Sequence, residues 1–484
     1  MRRSIVPGET PRRTIRQIGA ADSECEPNRY PPLRQKDIRM SFIRRPAVAL
    51  FSAFVCCFSI GCSRESSSPS ATPEKSQTQG EASTPKITIS PRTLPAANEQ
   101  QVKELVKQLD AAIAHQSATE LARLFDQNQL MDQILSGFVI VQDEKEEVVR
   151  GLKQVEGVSD LPEKIVQAVR SGGDYRFVRL VTKDGQLRPL YRLTMPEDGG
   201  VNYHELVVEL VSEKPLITNV FLYLSGESLS ESVRRVLIPA LAAEDATIVG
   251  QLTGSEAEIL KNRDALRTIN VLTSQQKFED AFAKFEELTP ELLQDRTILM
   301  TRLVISQALG ESEQESAVEA LAKAAPGQPC SDFPLFALRK KQGRHEDVIQ
   351  IVDRLQKVIE DPYLDLLKVD ALLATGKTDA AREAVVRVKT VCPDRSDVYW
   401  MEIAVSLKTR NFEETARLLD EVGKTFGLEF RDLSSVPEYA DFVASDAGKS
   451  WIRKQEESAA QPVKPEDSSK SDKGAGVKEE KKSE

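Results

Sequence analysis

The chain of 484 residues has few aromatic side chains and no surplus of basic ones: 65 Lys and Arg stand against 75 Asp and Glu, for a net charge of -10. That balance excludes the concentrated cationic surface that nucleic acid binding needs. Cysteine is too scarce and too lopsided for a disulfide framework. Cys25, Cys56, Cys57 and Cys62 lie near the start, and all the chain beyond them holds only Cys330 and Cys392. A full membrane span is missing as well, because the apolar run from Ala47 to Gly61 covers fifteen residues, short of the roughly 20 that cross a bilayer core. The length itself exceeds what one core usually supports, so more than one folded module is expected.

The apolar run has a direction. Arg44 and Arg45 precede it, small residues close it, and residues 1 to 61 carry eleven Arg or Lys against five Asp or Glu. A positive start, a short apolar middle and a small-residue end describe a secretory signal. Cys56 and Cys57 sit inside the apolar middle and serve there as hydrophobic residues; no histidine or second cysteine pair lies nearby to make a zinc site. The segment Ser59-Ile60-Gly61-Cys62 resembles the lipobox of bacterial lipoproteins, with Ser59 where the family carries leucine. The resemblance implies cleavage before Cys62, lipidation of that residue and a membrane-anchored protein of the cell envelope facing the periplasm. Residues 1–61 then form leader and signal, with Met40 as the expected translational start. Residues 62–97, without an aromatic, are expected to be a disordered tether, and its last thirty-five residues have an r.m.s. reach of roughly 33 Å.

Asn98-x-x-Gln101 opens the ordered chain as a capping motif, and Val102, Leu105, Val106, Leu109 and Ile113 follow at helical spacing. Ser117 to Glu120 repeats the device. Further helices are expected near 144–154 and 161–170. The hydrophobic period then changes from 3.6 to 2 in "DYRFVRLVT", "QLRPLYRLTM", "VNYHELVVELV" and "ITNVFLYLS", four strands separated by turn residues. Helices followed by an antiparallel four-stranded sheet make an α+β domain over 98–228. The element order resembles the cone-shaped nuclear-transport-factor-2-like fold. In that fold a concave sheet face can line a pocket, which makes His204 a candidate ligand contact or general base, since strand alternation places it with Leu206, Val208 and Leu210. A hydrogen-bonded core histidine is the competing reading. "HELVV" is no zinc motif, as Val208 stands where a second histidine belongs. Gly226-Glu227-Ser228-Leu229-Ser230 imitates a nucleophile elbow but lacks the final glycine; Ser228 and Glu231 fit a helix cap instead.

From residue 229 helical patterns replace the strands. "QKFEDAFAKFEEL", "GKTDAAREAVVRVKTVCP" and "RNFEETARLLDEV" place Phe278, Ala281 and Phe285, then Thr378, Ala381 and Val385, then Phe412, Thr415 and Leu419 in matching positions. Thr378 and Phe412 are as far apart as Ala381 and Thr415. That interval is the roughly 34-residue period of tetratricopeptide repeats, which these segments resemble. Residues 229–452 are therefore expected to be an all-α helical solenoid, with weaker copies near Ala317 and Val348 and with Phe442 and Trp451 closing its end. The "GKT" at Gly376 to Thr378 lacks the upstream glycine of a phosphate loop, Ala371 standing there. In the resembling family the first helix of each repeat lines a concave groove. The register puts Leu366, Asp370, Trp400 and Ala404 on that surface as a peptide groove. Residues 453–484 form a charged low-complexity tail with equal numbers of positive and negative side chains.

These features together describe a non-enzymatic, membrane-anchored scaffold of the bacterial envelope that binds a protein or peptide partner through the helical groove. It needs no cofactor or metal and engages no nucleic acid. The competing expectation is a ligand-binding or catalytic α+β domain centred on His204, and a third is a structural spacer.

Overall fold

The computed structural model describes residues 86–142, 145–152, 160–195, 200–244, 255–428, 430 and 433–460. Order begins earlier than the Asn98 cap suggests. Strand β1 (Lys86–Thr88) pairs antiparallel with β2 (Val139–Val141), and Leu210 N donates to Pro95 O at 2.8 Å. Ile89 and Ala97 are buried, and Arg92 reaches Asp126 at 2.7 Å. Residues 86–97 of the expected tether are thus docked on the domain. Ile87 and Ile89 supply a two-residue alternation too short to stand out from the Ser, Thr and Pro around it.

Helix α1 (Glu99–Ala114) starts with a reciprocal cap: Gln101 N donates to Asn98 Oδ1 at 3.0 Å and Asn98 N donates to Gln101 Oε1 at 2.9 Å. Its Val102, Leu105, Val106 and Leu109 are buried along one stripe. Three short helices follow, α2 (Ala118–Ala122), α3 (Gln127–Ile134) and α4 (Lys145–Leu152), and then α5 (Leu161–Arg170). The sheet is a meander of β3 (Asp174–Lys183), β4 (Gln186–Thr194), β5 (Val201–Val211), β6 (Lys214–Leu222) and β7 (Glu227–Ser228), antiparallel throughout. It therefore has five strands where four were expected. The fifth is a two-residue ladder, Phe221 with Ser228 and Leu222 with Glu227, laid down as the chain turns into the next helix.

Cross-strand partners share a face, and the two faces of this sheet differ in chemistry. Tyr191 pairs with His204 and His204 with Leu222 on one face. That face lies under α1, where Tyr191 Oη donates to Asp110 Oδ1 at 2.9 Å. Arg192 with Tyr203, and Leu190 with Glu205, define the other.

The remainder is helical: α6 (Leu229–Glu244), α7 (Ser255–Lys261), α8 (Arg263–Ser274), α9 (Phe278–Glu286), α10 (Arg296–Leu309), α11 (Glu311–Ala324), α12 (Pro329–Lys341), α13 (His345–Ile359), a 3-10 turn (Pro362–Lys368) running into α14 (Val369–Ala374), α15 (Thr378–Val391), α16 (Ser396–Lys408), α17 (Phe412–Phe426), α18 (Ala440–Ala444) and α19 (Asp446–Ala460). Helix α6 begins at a cap in which Ser228 and Glu231 bond each other's backbone N–H at 2.8 and 3.3 Å. Ser228 is thereby committed to a helix end.

Five helix pairs, from α8/α9 to α16/α17, are joined by tight turns. Each turn holds one residue at positive φ: Gln276 (59°), Gly310 (112°), Gly343 (67°), Gly376 (76°) and Arg410 (54°), each 33 or 34 residues after the last. At four of them the next residue closes a Schellman bond, as Lys277 N to Leu272 O and Asn411 N to Ser406 O, both at 2.9 Å. Gln276 and Arg410 adopt the left-handed backbone without a glycine, so turn geometry prevails there over local preference. A second device recurs in two neighbouring pairs: buried Asp332 receives Arg354 at 2.6 Å, and buried Asp365 receives Arg387 at 3.0 Å, each Asp lying 22 residues before its Arg. Ala281, Ala317, Ala381 and Thr415 are fully buried where paired helices approach. At the far end Trp451 Nε1 donates to Asp420 Oδ1 at 2.8 Å. Among the described residues no helix is long and apolar enough to cross a membrane.

The apolar core of the sheet's first face continues through Leu229 and Val233 of α6 to Phe285 and Ile305. The sheet and the first helix pairs are consequently joined by continuous hydrophobic packing.

Candidate functional site

Further along the chain the helices meet the sheet's second face, and the chemistry changes. Arg192, 2% exposed, directs Nη1 to both carboxylate oxygens of Asp361 at 3.0 and 2.8 Å. Its guanidinium lies 4.0 Å from the Tyr363 ring centroid, and Nη2 is 3.4 Å from Cys392 Sγ. Tyr203 Oη donates to Asp361 Oδ2 at 2.8 Å, and its ring stacks on Phe333. Asp361 also receives the Tyr363 N–H at 3.1 Å, so one carboxylate both starts the 3-10 turn and holds the strand arginine. Tyr363 Oη donates to Asp397 Oδ2 at 2.6 Å, and Arg395 spans Asp397 at 2.7 Å and Thr194 Oγ1 at 3.3 Å. At the sheet edge Arg176 grips Asp394 with two bonds of 2.9 and 2.6 Å, and Arg179 Nε donates to Ile359 O at 3.0 Å.

Burial opposes the charge on Arg192, yet Asp361 carries its pKa above the ordinary arginine value. Burial, with the Asp361 charge adding to it, raises the Tyr203 phenol. Asp397 is likewise opposed by burial, but the Arg395 hydrogen bond and charge hold it below the usual carboxylate range. The Arg176 hydrogen bond lowers Asp394. All four shifts favour the protonation states that the hydrogen bonds use: a charged guanidinium, charged carboxylates and a neutral phenol. Among the described residues no group of three or more His, Cys, Asp and Glu is placed to hold a metal ion.

His204 belongs to the opposite face and is 2% exposed. Asn202 Oδ1 accepts from the Tyr203 and Leu224 N–H groups at 2.8 and 3.1 Å, which turns its Nδ2 donor toward His204 Nε2 at 3.4 Å. Nε2 therefore accepts and Nδ1–H donates to Tyr175 Oη at 3.3 Å. Burial pushes the ring down to about 4. Both nitrogens are occupied, and the ring is closed off from solvent.

The groove residues separate. Leu366 is buried within the 3-10 turn, and Asp370 is half-exposed with Lys340 of the preceding pair at 3.4 Å. Trp400 packs edge-on against Phe430, whose ring meets Trp451. Phe333, Leu366 and Trp400 follow one another at the repeat interval, as do Cys330, Tyr363 and Asp397. The residues expected to line a groove thus share their register with those that meet the sheet: Phe333, in the position of Leu366, stacks on Tyr203. Cys62 lies outside the described residues. Cys330 and Cys392 are both free and buried. Sequence reasoning missed Arg192, Tyr203, Asp361 and Tyr363. The signal was there in part, as strand alternation puts Tyr203 on the face away from His204, where the structure pairs it with Arg192.

No protein-family model matches the chain, and no significant similarity to a characterised protein or to a solved structure is found.

Proposed function

We propose that the protein is a membrane-anchored scaffold of the bacterial envelope that binds a protein partner through a tetratricopeptide-like helical array. In this reading Cys62 carries the lipid, the tether lifts the folded part off the membrane, and residues 98–228 form a nuclear-transport-factor-2-like body that positions the array. The observation that carries it is the recurrence of helix pairs and left-handed turns, from Gln276 to Arg410, at the interval of one repeat. Stacked repeats of this kind expose an extended surface whose side chains repeat at a fixed interval, which suits a peptide or helix better than a small molecule. The closed surroundings of His204 give the rival, ligand-binding reading no support.

The test is affinity capture of the full chain from bacterial membranes after crosslinking, wild type beside Asp370→Lys, with mass spectrometry of partners and of the N-terminus. The expected result is a lipid on Cys62 and a partner retained by the wild type and lost from the variant. Recovery in the soluble fraction with an unmodified Met1 would overturn the anchor. A partner set identical in both proteins would count against the groove.

A further inference from the structure

The array meets the sheet in two chemically different ways. Near its start the join is apolar and continuous, through Leu229, Val233, Phe285 and Ile305. Close to that join Gly226, at φ +72°, lies so near α12 that an added Cβ would sit 3.0 Å from Cys330 Sγ, so the chain is pinned there. Beyond it, from Ile359 to Asp397, the contacts to the sheet run through Arg176, Arg179, Arg192, Thr194 and Tyr203. Arg192 Nε is buried there without a hydrogen-bond partner among the described residues, and Asp174 Oδ2 has no aligned hydrogen bond, only ion-pair contacts to Arg176 Nε at 3.2 Å and Arg192 Nη2 at 3.9 Å. A buried ion pair recovers little net free energy over its desolvated parts, because each charge regains full hydration when the contact opens. Polar interfaces between parts of one chain are the ones that separate.

We propose that the polar face of the sheet is an intramolecular occupant of the array's groove, latched by Arg192 on Asp361 and able to swing away about the apolar join. The proposal rests on the groove reading above. In the closed state Tyr203 covers Phe333 and Arg192 covers Tyr363, in the register a partner segment would use. In the open state the groove offers the Asp361 and Asp397 carboxylates beside two aromatic rings. An external segment that replaced the sheet would present an arginine next to an aromatic side chain, as Arg192 and Tyr203 do now.

The native thiols report on the opening. Cys392 lies at the latch and Cys330 beside the pinned end, both buried. Maleimide labelling of the intact full-length chain, read site by site by mass spectrometry, is compared with global unfolding followed by tryptophan fluorescence in urea. Opening of the latch makes Cys392 react at urea concentrations below the global transition, while Cys330 reacts only within it. Arg192→Met then accelerates Cys392 labelling at least tenfold and leaves the Cys330 rate unchanged. Arg192 Nη2 touches the Cys392 thiol at 3.4 Å, so Arg192→Met also changes the thiol's surroundings; loss of a neighbouring cation disfavours the reactive thiolate and slows labelling, opposite in sign to the acceleration that opening gives. Asp361→Asn provides a second variant with the same expectation. Labelling of both thiols only with global unfolding, in wild type and variants alike, would overturn the latch. A latch that opens while Asp370→Lys loses no partner would sink the groove reading and leave the opening intact.

Discussion

The two faces of one sheet are covered by two different chemistries. Beneath α1, Tyr191, His204, Leu206 and Leu222 meet an apolar layer in which nearly every polar atom is answered within the same region. On the reverse side Arg192, Tyr203 and Arg176 reach residues more than 150 positions away, Asp361 and Asp394, with Asp174 of the same sheet the local carboxylate beside both arginines. The first face obtains stability from area removed from water. The second obtains direction, because a guanidinium fitted between a carboxylate and a ring fixes how the array lies on the sheet while adding modest net stability.

The comparison can be broken most strongly on the apolar face. Leu206→Ala, at a position 1% exposed, is expected to cost about 2–5 kcal/mol of global stability in urea unfolding. A loss under about 1 kcal/mol would mean the first face is not the principal core. On the polar face Arg192→Ala leaves the Asp361 charge buried without a cation, nominally about 3–5 kcal/mol, but the Tyr203 and Tyr363 hydrogen bonds that remain and opening of the latch limit the global loss. Its midpoint shift should therefore be smaller than that of Leu206→Ala; an equal or larger shift would make both faces one indivisible core.

His204 gives the apolar face a pH signature. Its pKa falls from 6.5 in the unfolded chain to about 4 in the folded one, so the unfolded state binds the proton more readily. The stability tied to the neutral ring is present above pH 6.5, declines as pH drops through that value and is lost by about pH 4. Between about pH 7.5 and pH 5 the decline amounts to about 2 kcal/mol. His204→Gln should flatten that part of the stability profile, and an unchanged slope would show that the ring titrates normally.

Two smaller effects sharpen the boundary between the regions. Ser228→Ala removes the cap where the sheet gives way to α6 and should cost about 1 kcal/mol, measured by urea unfolding. Lys340→Ala breaks the half-exposed pair with Asp370 and should move stability by under about 0.5 kcal/mol. A larger loss would place that pair in the core of the array.

What was legible in the sequence was whatever depends on neighbours in the chain. The Asn98–Gln101 and Ser228–Glu231 caps, the two-residue period of the strands and the burial of Ala281, Ala381 and Thr415 each follow from residues a few positions apart. Strand β1 escaped because its pattern is three residues long and its partner, Val139–Val141, lies far along the chain. The second face escaped for a deeper reason. Alternation correctly separated Tyr203 and Glu205 from His204 and Leu206, and polar residues on a strand ordinarily face water. Nothing local announces that Asp361, 169 residues after Arg192, will cover them.

A double-mutant cycle between Arg192 and Asp361 in the full chain, using Arg192→Met, Asp361→Asn and the pair, tests most directly whether the array is docked on the sheet's polar face. A docked face predicts a coupling of at least about 1 kcal/mol in the free energy of Cys392 exposure, read from maleimide labelling rates without denaturant, with the double variant losing less than the sum of the single losses. Strictly additive losses would contradict the docking.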